Sequence, residues 1–115
     1  MIKRRADMTT RVVENVRGGN GHVAFLDLLK PDETLGKMRV CSLSTLEKGC
    51  SIGYHIHENE TETFYIIEGD ALYNDNGIEI EATAGDVLHV RSGESHAVAN
   101  RGEGTLILLA AIVYA

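Results

Sequence analysis

Apolar residues along this chain come in short runs that alternate with polar positions, and turn residues separate each run from the next. Val23–Leu29 is followed by a break from Pro31 to Gly36, then by Met38–Leu46 and a turn ending at Gly49. Segments at Ser51–His57, Glu62–Glu68, Ala71–Asn74, Ile78–Ala82, Asp86–Arg91, His96–Asn100 and Leu106–Tyr114 complete the series. Runs this short, at this spacing, predict the strands of a sandwich or closed barrel rather than a helical bundle. The sharpest turn signal is Asn74-Asp75-Asn76-Gly77. Asn-Gly tolerates the positive φ angles of a type I′ turn, so a tight hairpin is expected there. No long amphipathic helix, internal repeat or low-complexity tract breaks the pattern. The fold class expected is all-β.

The first 20 residues stand apart. Val12, Val13 and Val16 fit one face of a short helix or of a loose strand, and the cluster Arg17-Gly18-Gly19-Asn20-Gly21 breaks whatever precedes it. Residues 1–20 are read as an N-terminal arm and residues 21–115 as one barrel domain, because 115 residues supply a single core.

Charge narrows the partners. The formal net charge is -6 and the sequence pI is near 5.3. Apart from Lys3, Arg4 and Arg5, read as a solvated terminus, nothing clusters into the basic face that a nucleic-acid binder shows. No apolar run follows that basic start, and the stretch from Leu106 to Ala115 is about half of what a membrane span needs. Neither a secretory leader nor a membrane partner is expected. Two cysteines, Cys41 and Cys50, are too few for a disulfide framework. They are read as small fillers in a reducing, cytoplasmic setting.

The chemistry concentrates in one region. His55 and His57 are two apart, so on an extended strand both imidazoles point to the same face. Glu62 follows a short polar link and opens the next strand, with Phe64 and Ile66 on its own face. A fourth donor is available in His96, distant in sequence but again at the start of a strand. Imidazole and carboxylate together suit first-row transition metals better than calcium or magnesium. Taken singly, each of these residues has an ordinary reading as exposed polar alternation.

The wider spacing changes that balance. Gly49, five residues, His55, one residue, His57, four residues, Glu62, six residues and Gly69 make one pattern. Gly85, five residues, Arg91, one residue, Gly93, two residues, His96, three residues and Asn100 make the other. These resemble the two signature motifs of the cupin superfamily, with one departure: Arg91 stands where the family usually has proline, which puts the stiffness of the Ser92-Gly93 turn in question. The resemblance covers roughly residues 38 to 113. It implies a jelly-roll-like barrel, or double-stranded β-helix, with one divalent ion inside one end, held by His55, His57, Glu62 and His96. Manganese, iron, nickel and zinc all suit that set. An approximately octahedral shell would leave two positions open.

Other residues are given lesser roles. His89 is expected on a strand with the parity of Val87, and His22 as an exposed edge residue. Tyr54 and Tyr65 have parity opposite to the ligands and should face away from the metal, whereas Phe64 and Ile66 should wall the cavity. Glu58, Glu60 and Glu94 read as exposed carboxylates near the motifs. A simple hairpin register would set Cys41 opposite His55, but successive strands of a jelly roll cross between sheets, so this pairing is not expected.

The favoured function is a metalloenzyme acting on a small oxygen-rich molecule, of decarboxylase, dioxygenase or isomerase type, with the ion as Lewis acid and template. The alternative is a non-catalytic module that binds a small metabolite through its metal. A third possibility is an ion that only pins the barrel end. Edge strands need covering, so a homodimer is expected.

Overall fold

The computed structural model describes residues 1–115 and contains ten strands and no α-helix. They are β1 (Thr10–Glu14), β2 (His22–Asp27), β3 (Met38–Leu46), β4 (Ser51–Ile56) and β5 (Glu60–Glu68), followed by β6 (Asp70–Asp75), β7 (Ile78–Thr83), β8 (Val87–Val90), β9 (Ser95–Asn100) and β10 (Leu106–Tyr114). Nine of them fall on the segments expected from the hydrophobic pattern, with no end moved by more than two residues. The tenth, β1, lies in the arm. Val12 and Val13 sit on this strand, and Val16 begins a kinked turn at Val16–Gly18 in which Arg17 is left-handed.

All pairings are antiparallel. One sheet runs β1-β2-β3-β10-β5-β8 and the other β4-β9-β6-β7. From β3 onward most successive strands cross from one sheet to the other, which gives the double-stranded β-helix. Cys41 therefore lies opposite Ala111, and His55 lies opposite His96 in the other sheet. Between β6 and β7 the two-residue loop Asn76-Gly77 has φ of 52° and 99°, the positive pair a type I′ hairpin requires.

The core lies between the sheets. Leu46, Ile66, Leu106 and Leu108 are fully buried, with Val98, Tyr73 and Phe64 packed among them. Each large aliphatic side chain removed from water contributes about 1.5–3 kcal/mol. Both cysteines are free, Cys50 buried and Cys41 half-buried. His22 departs from expectation: it is half-buried, because β1 pairs alongside β2 and moves the sheet edge outward.

Three local irregularities position the site. The β4–β9 register shifts between Ile52 and His55. Strict alternation would put Ile52, Tyr54 and Ile56 on one face; instead Ile52 is buried while Tyr54 and Ile56 are about half exposed. The extra residue at Gly53–Tyr54 reverses the parity, so His55 and His57 turn inward. A second shift, between Ile112 and Val113, leaves Arg39 of β3 without an opposite residue and lets its side chain reach the barrel interior. The third is a close approach. The arm's turn lies against β4, where Ser51 N–H donates to the Asn20 carbonyl (2.9 Å) and a Cβ on Gly53 would come within 2.1 Å of the Arg17 carbonyl oxygen.

Candidate metal centre

β4 carries His55 and leads directly into His57; β5 supplies Glu62 and β9 supplies His96. Their donor atoms all lie within 4.8 Å of one another. His55 Nε2 is 3.0 Å from His57 Nε2, which is 3.1 Å from His96 Nε2. Glu62 Oε1 stands 3.1 Å from His57 Nε2 and 3.0 Å from His96 Nε2. His57, Glu62 and His96 are buried, and His55 is half-buried toward the opening. The four residues singled out from the motifs are brought together without exception.

Each imidazole is held from behind. His55 Nδ1 donates to the Gly53 carbonyl (2.6 Å), and His57 Nδ1 to the Glu60 carboxylate (2.6 Å). His96 Nδ1 lies 2.8 Å from the Tyr73 hydroxyl, and the His96 ring stacks on Phe64 with centroids 5.5 Å apart. Carbonyl and carboxylate oxygens only accept, so the Nδ1 atoms of His55 and His57 carry the protons. In the neutral rings both Nε2 lone pairs then face each other. Lone pairs at this separation repel unless a positive centre lies between them, and one proton can bridge only one pair. The donor set therefore suits a metal ion.

The charged groups respond to these contacts. Burial pushes the Glu62 carboxyl up, but its contacts with His57 and His96 outweigh it and hold the group below the usual carboxylate range. Contact with Glu62 raises His57, with Glu60 adding to the effect, whereas burial lowers His55. Burial also raises the Tyr73 phenol.

Glu60 was expected as an exposed carboxylate and is instead buried. It accepts two hydrogen bonds from Arg39, at 2.9 and 2.7 Å, as well as the one from His57. Its carboxyl is held down to about 2, chiefly by the Arg39 guanidinium. Arg39, Glu60 and His57 thus form a chain of charge-assisted hydrogen bonds ending at a candidate ligand. Glu60 is two residues before Glu62, so it shares that face once β5 is seen to begin at Glu60, a parity signal available in the sequence. The Arg39 partner was not.

We expect Glu60→Gln to lower metal affinity about 10- to 100-fold, the usual cost of losing such an orienting partner; equilibrium dialysis against manganese checks this. The metal-free protein should also show an acid limb. Because the folded Glu60 value lies below the ordinary 4.5, its contribution is complete above about pH 4.5 and is lost as pH falls toward 2. The glutamine variant should flatten that limb, as read from thermal midpoints between pH 2 and 7. An unchanged limb would count against the Arg39–Glu60 pairing.

Arg91 keeps its turn stiff by another route than proline. Its backbone N–H donates to the Glu94 carboxylate (2.8 Å), Glu94 N–H returns to the Arg91 carbonyl (3.0 Å), and Gly93 N–H donates to the His57 carbonyl (2.7 Å). Glu94 therefore closes the turn beside the centre.

A cavity of about 200 Å³ opens onto His55, His57 and Glu62, while His96 lies beneath them. Phe64 lines it as expected; Ile66 shares that face of β5 but belongs to the core below. Tyr54 and Tyr65 face outward, and His89 is exposed beside Thr63.

The family model for a cupin domain matches residues 42–112. The chain belongs to the cupin family. This cupin is 38% identical over 113 residues to the oxalate-binding protein of Thermotoga maritima, a match that spans 98% of the chain and 93% of that protein. The crystal structure of a predicted oxalate decarboxylase from Thermotoga maritima superposes on it with a TM-score of 0.95 at 37% identity, each chain covered in full. Quercetin 2,3-dioxygenase of Bacillus subtilis is 45% identical over 49 residues, which is 43% of this cupin and 14% of that enzyme. The Cnp3 cupin domain of Schizosaccharomyces pombe, at 13% identity and a TM-score of 0.75, covers 91% of this chain and 69% of that domain and shares the fold. No helix is long and apolar enough to cross a membrane.

Proposed function

We propose that this cupin holds one divalent transition-metal ion through His55, His57, Glu62 and His96 and uses the remaining coordination positions to bind a small chelating carboxylate of the oxalate type. Donor spacing carries the first half of this reading. For donors about 2.1 Å from an ion, neighbours in an octahedral shell stand about 3.0 Å apart and those in a tetrahedral shell about 3.4 Å. Four donor pairs here lie at 3.0–3.1 Å. Four protein donors on an octahedral ion leave two adjacent or opposed positions, and a chelating dicarboxylate fills an adjacent pair. A relative that is 38% identical and named for oxalate binding agrees with this ligand class.

The cavity wall favours binding over turnover. Its ionisable side chains are Arg11, Arg17, Arg39, His55, His57 and Glu62. Three are candidate ligands and three are guanidiniums, which do not exchange protons at ordinary pH. Glu60 is tied to Arg39 and His57. No free acid or base faces the space in which a substrate would sit. The enzymatic reading rests on the ion alone, with dioxygen or a polarised carboxylate, and the partial match to a dioxygenase speaks for it. A cytoplasmic setting belongs to the same proposal. So does a homodimer, since every residue of the edge strand β1 is exposed; a sedimentation mass of one chain would remove it.

Elemental analysis of the protein as isolated comes first, followed by calorimetric titration of manganese-loaded protein with oxalate and by oxygen-uptake and carbon dioxide-release assays. Saturable binding at one site without turnover is the expected result. Sustained gas exchange would establish the enzyme instead. A protein that loses its thermal transition on chelation, yet binds no oxalate, would have a structural ion.

A further inference from the structure

Three arginines line the cavity, and two are already committed. Arg11 donates to Asp27 at 3.0 and 3.1 Å and lies over the Phe25 ring, and Arg39 is paired with Glu60. Arg17 lines the same space beside His55, is exposed to solvent, and makes no side-chain hydrogen bond or salt bridge within the chain. Ser44, fully buried on β3, lies in the wall beneath this space, and its hydroxyl, like that of Ser42, has no hydrogen-bond partner.

Arg17 is held where it is by the backbone around it. Its φ is 54°, in the left-handed region that a long side chain rarely adopts. Its carbonyl packs against Gly53, and Asn15 Nδ2 donates to the Gly19 carbonyl (3.0 Å) across the turn. The arm's turn is thereby fixed in its backbone, and it carries the exposed Arg17 side chain at the open side of the cavity beside His55. A guanidinium offers parallel N–H donors that match two oxygens of one anion. The cavity has room for about seven waters at liquid density, enough for a chelating anion of that size and little more.

We propose that Arg17 determines ligand specificity: it clasps the outward oxygens of a metal-chelated dicarboxylate and favours it over monoanionic chelators. This rests on the proposed binding of a carboxylate at the metal. An oxalate chelated through one oxygen of each carboxylate turns two charged oxygens outward, whereas glycolate turns one. The guanidinium fork distinguishes them by charge and by the second hydrogen bond.

The test is calorimetric titration of manganese-loaded protein with oxalate and with glycolate. Arg17→Asn removes the guanidinium and keeps a residue that tolerates positive φ; Arg17→Gly does the same should the asparagine variant be unstable; Arg17→Lys retains the charge without the fork. Both neutral variants should keep one manganese per chain while losing about tenfold in oxalate affinity, with glycolate changed less than twofold. The lysine variant should fall between. Unchanged oxalate affinity in manganese-loaded Arg17→Asn or Arg17→Gly would overturn the role of Arg17 and leave the metal-dependent binding intact. No oxalate binding by the unsubstituted manganese-loaded protein would overturn both.

Discussion

Replacing His96 with alanine is expected to lower metal affinity by more than about 100-fold, since losing only a group that orients a ligand already costs 10- to 100-fold. In free energy, 100-fold corresponds to about 2.7 kcal/mol. His96 is the most deeply placed of the four donors, 1% exposed, and its Nε2 stands within 3.1 Å of both His57 Nε2 and Glu62 Oε1. Without it three donors remain, and the Tyr73 hydroxyl loses its partner on β9. The void between Phe64 and Tyr73 adds a stability cost of a few kcal/mol, about what other large-to-small core replacements show. His96→Gln retains most of the volume and separates the two effects. It should fold with a nearly normal thermal transition and still fail to retain a stoichiometric ion after dialysis. One equivalent of metal bound by either variant would mean that these four side chains are not the ligand set.

Gly53→Ala carries the second large effect. A Cβ there would lie 2.1 Å from the Arg17 carbonyl oxygen and 2.9 Å from the backbone nitrogen of Gly19, and neither can move without lifting the arm's turn off β4. Overpacking of this kind costs about 1–3 kcal/mol. The damage should reach the metal as well. The Gly53 carbonyl accepts the hydrogen bond from His55 Nδ1, and the bulge it belongs to is what turns His55 and His57 inward. The variant should therefore unfold at lower denaturant and bind manganese more weakly, most visibly through loss of the His55 contact. Gly104→Ala is the control, because a Cβ at Gly104 meets nothing within 4 Å. Equal midpoints for the two variants would show that the arm does not brace β4.

Much of this architecture was legible along the chain. β10 runs from Leu106 to Tyr114, as the last apolar stretch implied, and the Asn76-Gly77 hairpin follows from the side chains at its two positions. Local rules suffice in such cases because alternation and turn chemistry are properties of neighbours. Val12 and Val13 were ambiguous for the same reason: five exposed residues carry no burial pattern, and only pairing with Ala24 and Val23 makes them a strand. Arg39 was invisible as part of the site, since its place there depends on a bulge opposite β10 and on Glu60, 21 residues away.

By itself the sequence determined the all-β class of the frame, because strand periodicity is written residue by residue, and the motif spacing with its resemblance to cupins singled out His55, His57, Glu62 and His96 as candidate donors. Only the tertiary structure decided how both histidines come to share the inner face with Ile52. Unbroken alternation sets Ile52 on the face of Tyr54 and Ile56, opposite both histidines, yet Ile52 is buried while Tyr54 and Ile56 are about half exposed. One extra residue in β4, packed against the arm at Gly53, reversed that choice. Such a reversal depends on register between strands far apart in the chain, and no local preference encodes it.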